Sequence, residues 1–242
     1  MEGRGGTEGA LSEKRKRTGG TRAGDAPPAP PEDARARLFR AATELFESRG
    51  YAATTVREIV EAAGVTKPVL YYYFENKEGL YLALMSGVME EFEALIEAHS
   101  ARTGPARARI ETLCEEVLVL FKRHVPAVRI MYSIYYGPPQ GAPFLDFDRL
   151  HLAFQNHLKR LLVEGREAGE FPFGRTEDAM WAIIGVLNVA QEVELCHPEM
   201  ALGTKDLRRI LGLVLDALSA RKPADMKRHA QTKRLKSKGV KP

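Results

Sequence analysis

The sequence predicts an all-α protein of about nine helices, in which a small N-terminal three-helix unit precedes a larger helical body. Three observations predict it. Apolar residues recur at three- and four-residue spacing through nearly all of 32–220. No convincing period-two run interrupts them. Glycine and proline clusters punctuate the pattern at intervals of helix length. A chain of 242 residues, 44% hydrophobic, is long enough for a real core. It contains no run of 18 apolar residues, so no membrane span is expected, and 1–31 has no apolar stretch of the kind a secretory signal carries. Cys114 and Cys196 lie far apart and offer neither a disulfide framework nor a CxxC metal site, which suits a reducing cytoplasm.

Glu32 and Asp33 follow a proline run and suit the positive end of a first helix. Leu38, Ala41, Ala42, Leu45 and Phe46 supply its apolar stripe, and Gly50 ends it. Thr54 or Thr55 caps a second helix that buries Val56, Ile59, Val60 and Ala63, and Gly64 stops it. Thr66 caps a third, running to about Phe74, with Pro68 in the first turn where a missing N–H is harmless. Asn76 caps a long fourth helix to about His99. Further helices are expected over 105–122, 126–136, 144–168, 176–196 and 204–221, separated by Gly104-Pro105, Pro126, the loop 137–143, Gly169 to Gly174, and His197-Pro198. A head of about 45 residues is too small to be robust alone and must lean on the fourth helix and the body.

The net charge of +4 hides a segregation: residues 1–31 carry +2, residues 221–242 carry +8, and the remainder carries −6. Both ends are compositionally suited to disorder. Lys14-Arg15-Lys16-Arg17 and the C-terminal lysines suit either non-specific contact with phosphates or plain solvation.

The stretch from Thr55 to Phe74, TVREIVEAAGVTKPVLYYYF, reads as a helix-turn-helix, with Gly64 in the turn and Val65 pinning it to the core. Leu70 and Phe74 point inward with Tyr73 beside them. Lys67 with Tyr71, and Pro68 with Tyr72, are four apart and point outward. Such a ridge has no packing purpose and suits a helix laid in a major groove. Lys77, in the first turn of the fourth helix, opposes the helix dipole unless a phosphate docks there.

From about Ala36 to Leu84 the chain resembles the N-terminal domain of the TetR family of transcriptional regulators. Gly50-Tyr51, the threonine pair, Ala-Gly-Val, Leu-Tyr-x-x-Phe and Asn-Lys-Glu all fall in order. The resemblance implies phosphate contacts at Thr55, Thr66, Tyr71 and Lys77, a base-edge contact at Arg57, and base reading by Lys67, Pro68, Val69 and Tyr72. Many members have glycine where this chain has Pro68, and histidine is common where Tyr73 stands. It further implies a head over 32–80 (motif 55–74) and a regulatory and dimerisation body over 81–221; composition adds disordered basic arms at 1–31 and 222–242.

The last two helices are apolar nearly all round, which calls for burial on all sides. A two-fold four-helix bundle between two copies would supply it, with Met180, Ile184, Gly185, Leu187, Leu207, Ile210, Leu211, Val214 and Leu218 at the interface. Phe121, Met131, Tyr132, Tyr135, Phe144, Phe147, His151, Phe154 and Trp181 concentrate aromatic and soft side chains around a candidate pocket for a small apolar or amphipathic ligand. No catalytic signature, cofactor fingerprint or metal-ligand spacing is present, so no enzyme, cofactor or metal is expected. The expected function is a cytoplasmic, homodimeric, ligand-responsive repressor on a palindromic duplex operator, with no membrane partner. A nucleoid or architectural DNA-binding protein on the same fold, without a ligand, is the alternative.

Overall fold

A computed structural model describes residues 32–172 and 174–219. The basic arms and the Lys14–Arg17 cluster lie outside the described residues. Among those residues there are nine α-helices, no strand, and one short 3-10 turn at Pro198–Met200. The helices are α1 Glu32–Arg49, α2 Val56–Ala63, α3 Lys67–Phe74, α4 Lys77–Ser100, α5 Ala106–Arg123, α6 Val125–Tyr135, α7 Asp148–Glu167, α8 Thr176–Cys196 and α9 Thr204–Ser219.

The apolar stripes converge on two cores. In the head, Leu38, Ala42 and Phe46 of α1 meet Ile59 and Ala63 of α2, Leu70 and Phe74 of α3, and Leu80, Tyr81 and Met85 of α4. This core does not stop at residue 80: it continues to Met89 and takes in Ala127 and Ile130 of α6 and Phe147 before α7. The head leans on the body, as its size requires. The second core joins Ile110, Leu113 and Leu118 of α5, Leu158 and Leu161 of α7, Ile183 of α8, and Leu207, Leu211 and Leu215 of α9.

Local signals set several helix ends in the head. Thr55 accepts from the amide of Glu58, whose carboxylate accepts from the Thr55 amide in return, a reciprocal cap. Gly64 takes φ +61°, which only glycine adopts without cost, and lets the chain turn into α3. Asn76 accepts from the amide of Gly79. Thr66 stands at the N-cap of α3, but its hydroxyl makes no capping bond. The connection from α3 to α4 is so tight that a Cβ at Gly79 would lie 2.1 Å from the carbonyl oxygen of Phe74. Helix α7 begins four residues later than its apolar pattern suggests. Asp146, just before the helix, accepts from the amide of Arg149 at 3.3 Å, and Phe144 lies in the preceding loop.

Two histidines are sealed into the body. His99 of α4 and His157 of α7 meet Nδ1 to Nε2 at 2.9 Å, and His99 Nε2 lies 2.9 Å from the Arg109 carbonyl oxygen. That carbonyl can only accept, so His99 carries its proton on Nε2 and accepts at Nδ1 from His157 Nε2–H. His157 Nδ1 then accepts from the Arg160 guanidinium at 3.2 Å. Neither ring can take a second proton without an unpartnered donor. Burial, with His99, Arg160 and Arg109 nearby, pushes His157 down to about 4, and burial with Arg102 lowers His99. The unfolded chain therefore takes up these protons first, near pH 6.5. Stability from this pair is complete above that pH and declines as the pH falls toward 4. Calorimetry at pH 7.5 and pH 5 should show Tm lower at pH 5 by roughly 5 °C or more, with a flatter dependence in His157→Gln.

Candidate functional site

Helix α3 is held by its inner face and open on its outer one. Leu70 and Phe74 are buried, whereas Thr66, Lys67, Pro68, Tyr71 and Tyr72 are exposed and Val69 is half-buried. Tyr72, at 61% exposure, is packed edge-on against Tyr73, which in turn touches Phe74. The inner residues fix the helix, and the outer ridge is left to meet something else. Thr55 and Arg57 on α2 are also exposed. Arg57 lies along its own helix against Glu61 at 2.7 Å, an exposed pair that contributes little and separates readily. Thr55, Arg57 and the outer residues of α3 are thus all exposed within the segment read as a helix-turn-helix.

Lys77 is placed differently from a free phosphate anchor. Its ammonium donates to the carbonyl oxygens of Tyr51 and Thr54, both at 2.9 Å, and sits 4.2 Å from the Tyr51 ring centre. Burial lowers its pKa. The side chain clamps the α1–α2 connection to the start of α4. Lys77→Met is expected to destabilise the protein by roughly 2–3 kcal/mol, since two buried carbonyls lose a charged donor. On calorimetry that is a Tm drop on the order of 5–10 °C. The salt slope of duplex binding should stay within half a unit. An unchanged Tm with a slope lower by about one unit would restore the phosphate role.

A cavity of about 130 Å³ opens in the body between α4, α5, α6, α7 and α8. Phe121, Met131, Tyr132, Phe147, His151 and Phe154 line it, as the sequence suggests. Three expected members do not. Tyr135 is turned out and donates to Asp148 at 2.6 Å. Phe144 is 88% exposed on the loop before α7, and Trp181 is 57% exposed on the far side of α8. The lining residues the sequence reading missed include Met85, Met89, Phe92, Val117, His124 and Val128, and the amide-bearing Gln155, Asn188 and Gln191. Periodicity marks such residues as buried but not as facing a void.

The apolar girth of α8 has a different cause from the one expected. One face, with Met180 and Ile183, packs in the body core, and a second, with Ile184, Leu187 and Gln191, faces the cavity. Only the third, Trp181, Ala182, Gly185 and Val189, is exposed. On α9, Leu207 and Leu211 are fully buried within the chain, Ile210, Val214 and Leu218 are half-buried, and Leu213 is 70% exposed. Met180, Ile184, Leu187, Leu207 and Leu211 therefore leave the expected interface. By length and composition α8 is also apolar enough to cross a membrane, though two of its faces are engaged by the core and the cavity. Among the described residues no cluster of His, Cys, Asp and Glu is arranged to hold a metal.

Comparison with known proteins bears on this geometry directly. Residues 38–84, α1 through the first turns of α4, match the family model for bacterial regulatory proteins of the tetR family. The HTH-type transcriptional repressor KstR2 of Rhodococcus jostii is 33% identical over 137 residues, which cover 57% of this chain and 67% of that protein. The chain belongs to the TetR family. A second relative of this TetR-family chain, the HTH-type transcriptional activator FasR of Mycolicibacterium smegmatis, is 32% identical over 130 residues. That match covers 53% of this chain, and the chain spans only 58% of FasR. The TetR-family regulator PfmR of Thermus thermophilus superposes with a TM-score of 0.59 over 74% of this chain and 97% of that structure, at 22% identity, which attests the TetR-like fold.

Proposed function

We propose that the chain is a sequence-specific, DNA-binding transcriptional repressor that acts as a homodimer on a palindromic operator and is released by a small apolar or amphipathic ligand. The observation that carries the reading is the outer face of α3. A lysine, a proline and two tyrosines stand exposed on a helix whose opposite face is locked by Leu70 and Phe74. In this reading residues 32–80 form the reading head. Lys67, Pro68, Val69 and Tyr72 meet base edges with Arg57, while Thr55, Thr66 and Tyr71 meet phosphates. Lys77 supports the head from within, and its helix start still presents backbone N–H groups to a phosphate.

Residues 81–221 then sense and dimerise. Trp181, Gly185 and Val189 of α8 and Ile210, Leu213 and Val214 of α9 form the apolar strip that a second copy would cover. Ligand and head are joined by α6. Ala127 and Val128 wall the cavity, Ala127 and Ile130 pack in the head core, Arg129 pairs with Glu47 of α1 at 2.8 Å, and the side-chain carbonyl of Gln140 beyond α6 accepts from the Tyr51 amide at 2.9 Å. A ligand that displaces α6 would therefore re-aim the two heads, provided it prefers the displaced state.

Selection of duplexes from a random library tests the function. The expected result is enrichment of an inverted repeat, with two chains per duplex. Tight binding without any preferred sequence would favour the architectural alternative, and no binding to duplex DNA at low salt would remove the reading.

A further inference from the structure

The cavity has an uneven chemical lining. Its floor is apolar, with Met85, Met89, Val117, Ile184 and Leu187. Besides the Tyr132 phenol of α6 and the His124 ring, its polar groups lie on α7 and α8. His151 and Gln155 lie one turn apart on α7, and Asn188 and Gln191 lie one turn apart on α8. His151 and Asn188 are exposed and the two glutamines half-buried, so these four form the rim where the cavity meets solvent. No lysine or arginine is among the lining residues. The nearby cations are already paired on the outside: Arg123 with Glu91 at 3.2 Å, Arg149 with Glu93 at 2.7 Å, and Lys122 with Glu194 at 2.7 Å. The basic groups at the wall are two histidines: His124 faces the Glu91 carboxylate at 3.1 Å, and His151 stands at the exposed rim.

A carboxylate or phosphate brought into this site would exchange water for neutral amides and a neighbouring carboxylate, a large desolvation cost with no compensating cation. An uncharged carbonyl, amide or hydroxyl loses far less and finds both donors and acceptors, because each amide side chain offers an N–H₂ and a C=O. The space itself is close in scale to a cavity that accepts a benzene-sized body.

We infer that the cavity takes a compact, uncharged ligand: an apolar body of about ring size in the floor, bearing one neutral hydrogen-bonding group held at the Gln155–Gln191 rim. The inference rests on the reading of this cavity as the regulatory ligand site and names the chemistry of its occupant. Selectivity against the ionised analogue is its signature. A site with unpaired neutral amides discriminates on charge more sharply than on the size of the apolar body.

The test is the thermal shift of the full chain at pH 8 with three probes at millimolar concentration: 4-ethylbenzamide, its near-isostere 4-ethylbenzoate, and ethylbenzene. The amide is expected to raise Tm by about 2 °C or more, ethylbenzene by less, and the ionised benzoate not at all. Gln155→Leu, Gln191→Leu and Asn188→Leu, each made singly on helix faces open to solvent, should reduce the amide's shift toward that of ethylbenzene while leaving the ethylbenzene shift in place. A benzoate shift equal to or above that of the amide overturns the neutral-ligand inference and leaves the cavity as a ligand site. So does an amide shift insensitive to all three rim variants. Absence of any shift with all three probes overturns the ligand-site reading together with the inference.

Discussion

Leu213→Glu and Trp181→Glu are each expected to yield a folded monomer whose affinity for a two-half-site duplex is lower by about 10²–10⁴-fold. Both side chains are large, apolar and largely exposed on the strip formed by α8 and α9. Neither contributes to the body core, so a carboxylate at either place costs the single chain little. In a two-fold assembly each would sit opposite its own copy or close to it, and an uncompensated charge in the centre of an apolar contact is disfavoured by several kcal/mol. Once the twin is lost, each head binds one half-site alone, and the benefit of tethering disappears. Sedimentation gives the association state and a band-shift titration gives the affinity. Retention of the dimer at micromolar concentration by both variants would place the interface elsewhere. Ile184→Glu and Leu211→Glu make the contrast: Ile184 is 7% exposed and Leu211 not at all, so these variants should unfold rather than dissociate.

The second large effect is expected on the reading helix. Tyr71→Ala combined with Tyr72→Ala should weaken duplex binding by roughly 30–20,000-fold, taking about 1–3 kcal/mol per contact. Tm should move by only a few degrees, because both rings stand in solvent and the helix is anchored by Leu70 and Phe74. The single variants should differ in kind. On the proposed roles, Tyr71→Phe should weaken all sequences alike through loss of a phosphate contact, whereas Tyr72→Ala should relax the preference at one base step. Leu70→Ala, one position away, inverts the pattern, since truncating a fully buried leucine costs about 2–5 kcal/mol of stability. If the double alanine variant bound as tightly as the parent, α3 would not be the reading element.

The head was legible from the chain because its signals are local. The threonine-glutamate cap of α2, the left-handed Gly64, Pro68 in the first turn of α3 and the Asn76 cap of α4 each act within four residues of themselves. Sorting α3 into inner and outer faces needs only the helical repeat. Where the signal was local but the partner was not, the reading went astray. Lys77 has the position of a phosphate anchor, yet its ammonium is taken by carbonyls 23 and 26 residues away. Thr66 has the position of a cap, yet its hydroxyl makes no capping bond. The start of α5 shows the converse. Pro105 has no side-chain acceptor to offer, and the amides of Ala106 and Arg107 are satisfied by Glu170, some 64 residues on.

By itself, then, the sequence determined the helical class, the order and approximate ends of the helices, and the exposed ridge of α3, because periodicity and capping are properties of neighbours along the chain. The tertiary structure decided what the apolar surface of each helix touches. An apolar residue carries no mark of whether it faces the core, a void or a second molecule: on α8, Ile183 is enclosed in the core, Ile184 packs in the same core and also lines the cavity, and Trp181 is exposed. That choice is made by the angle at which helices cross and by what packs beside them, so cavity and strip emerge only when α4 through α9 are assembled.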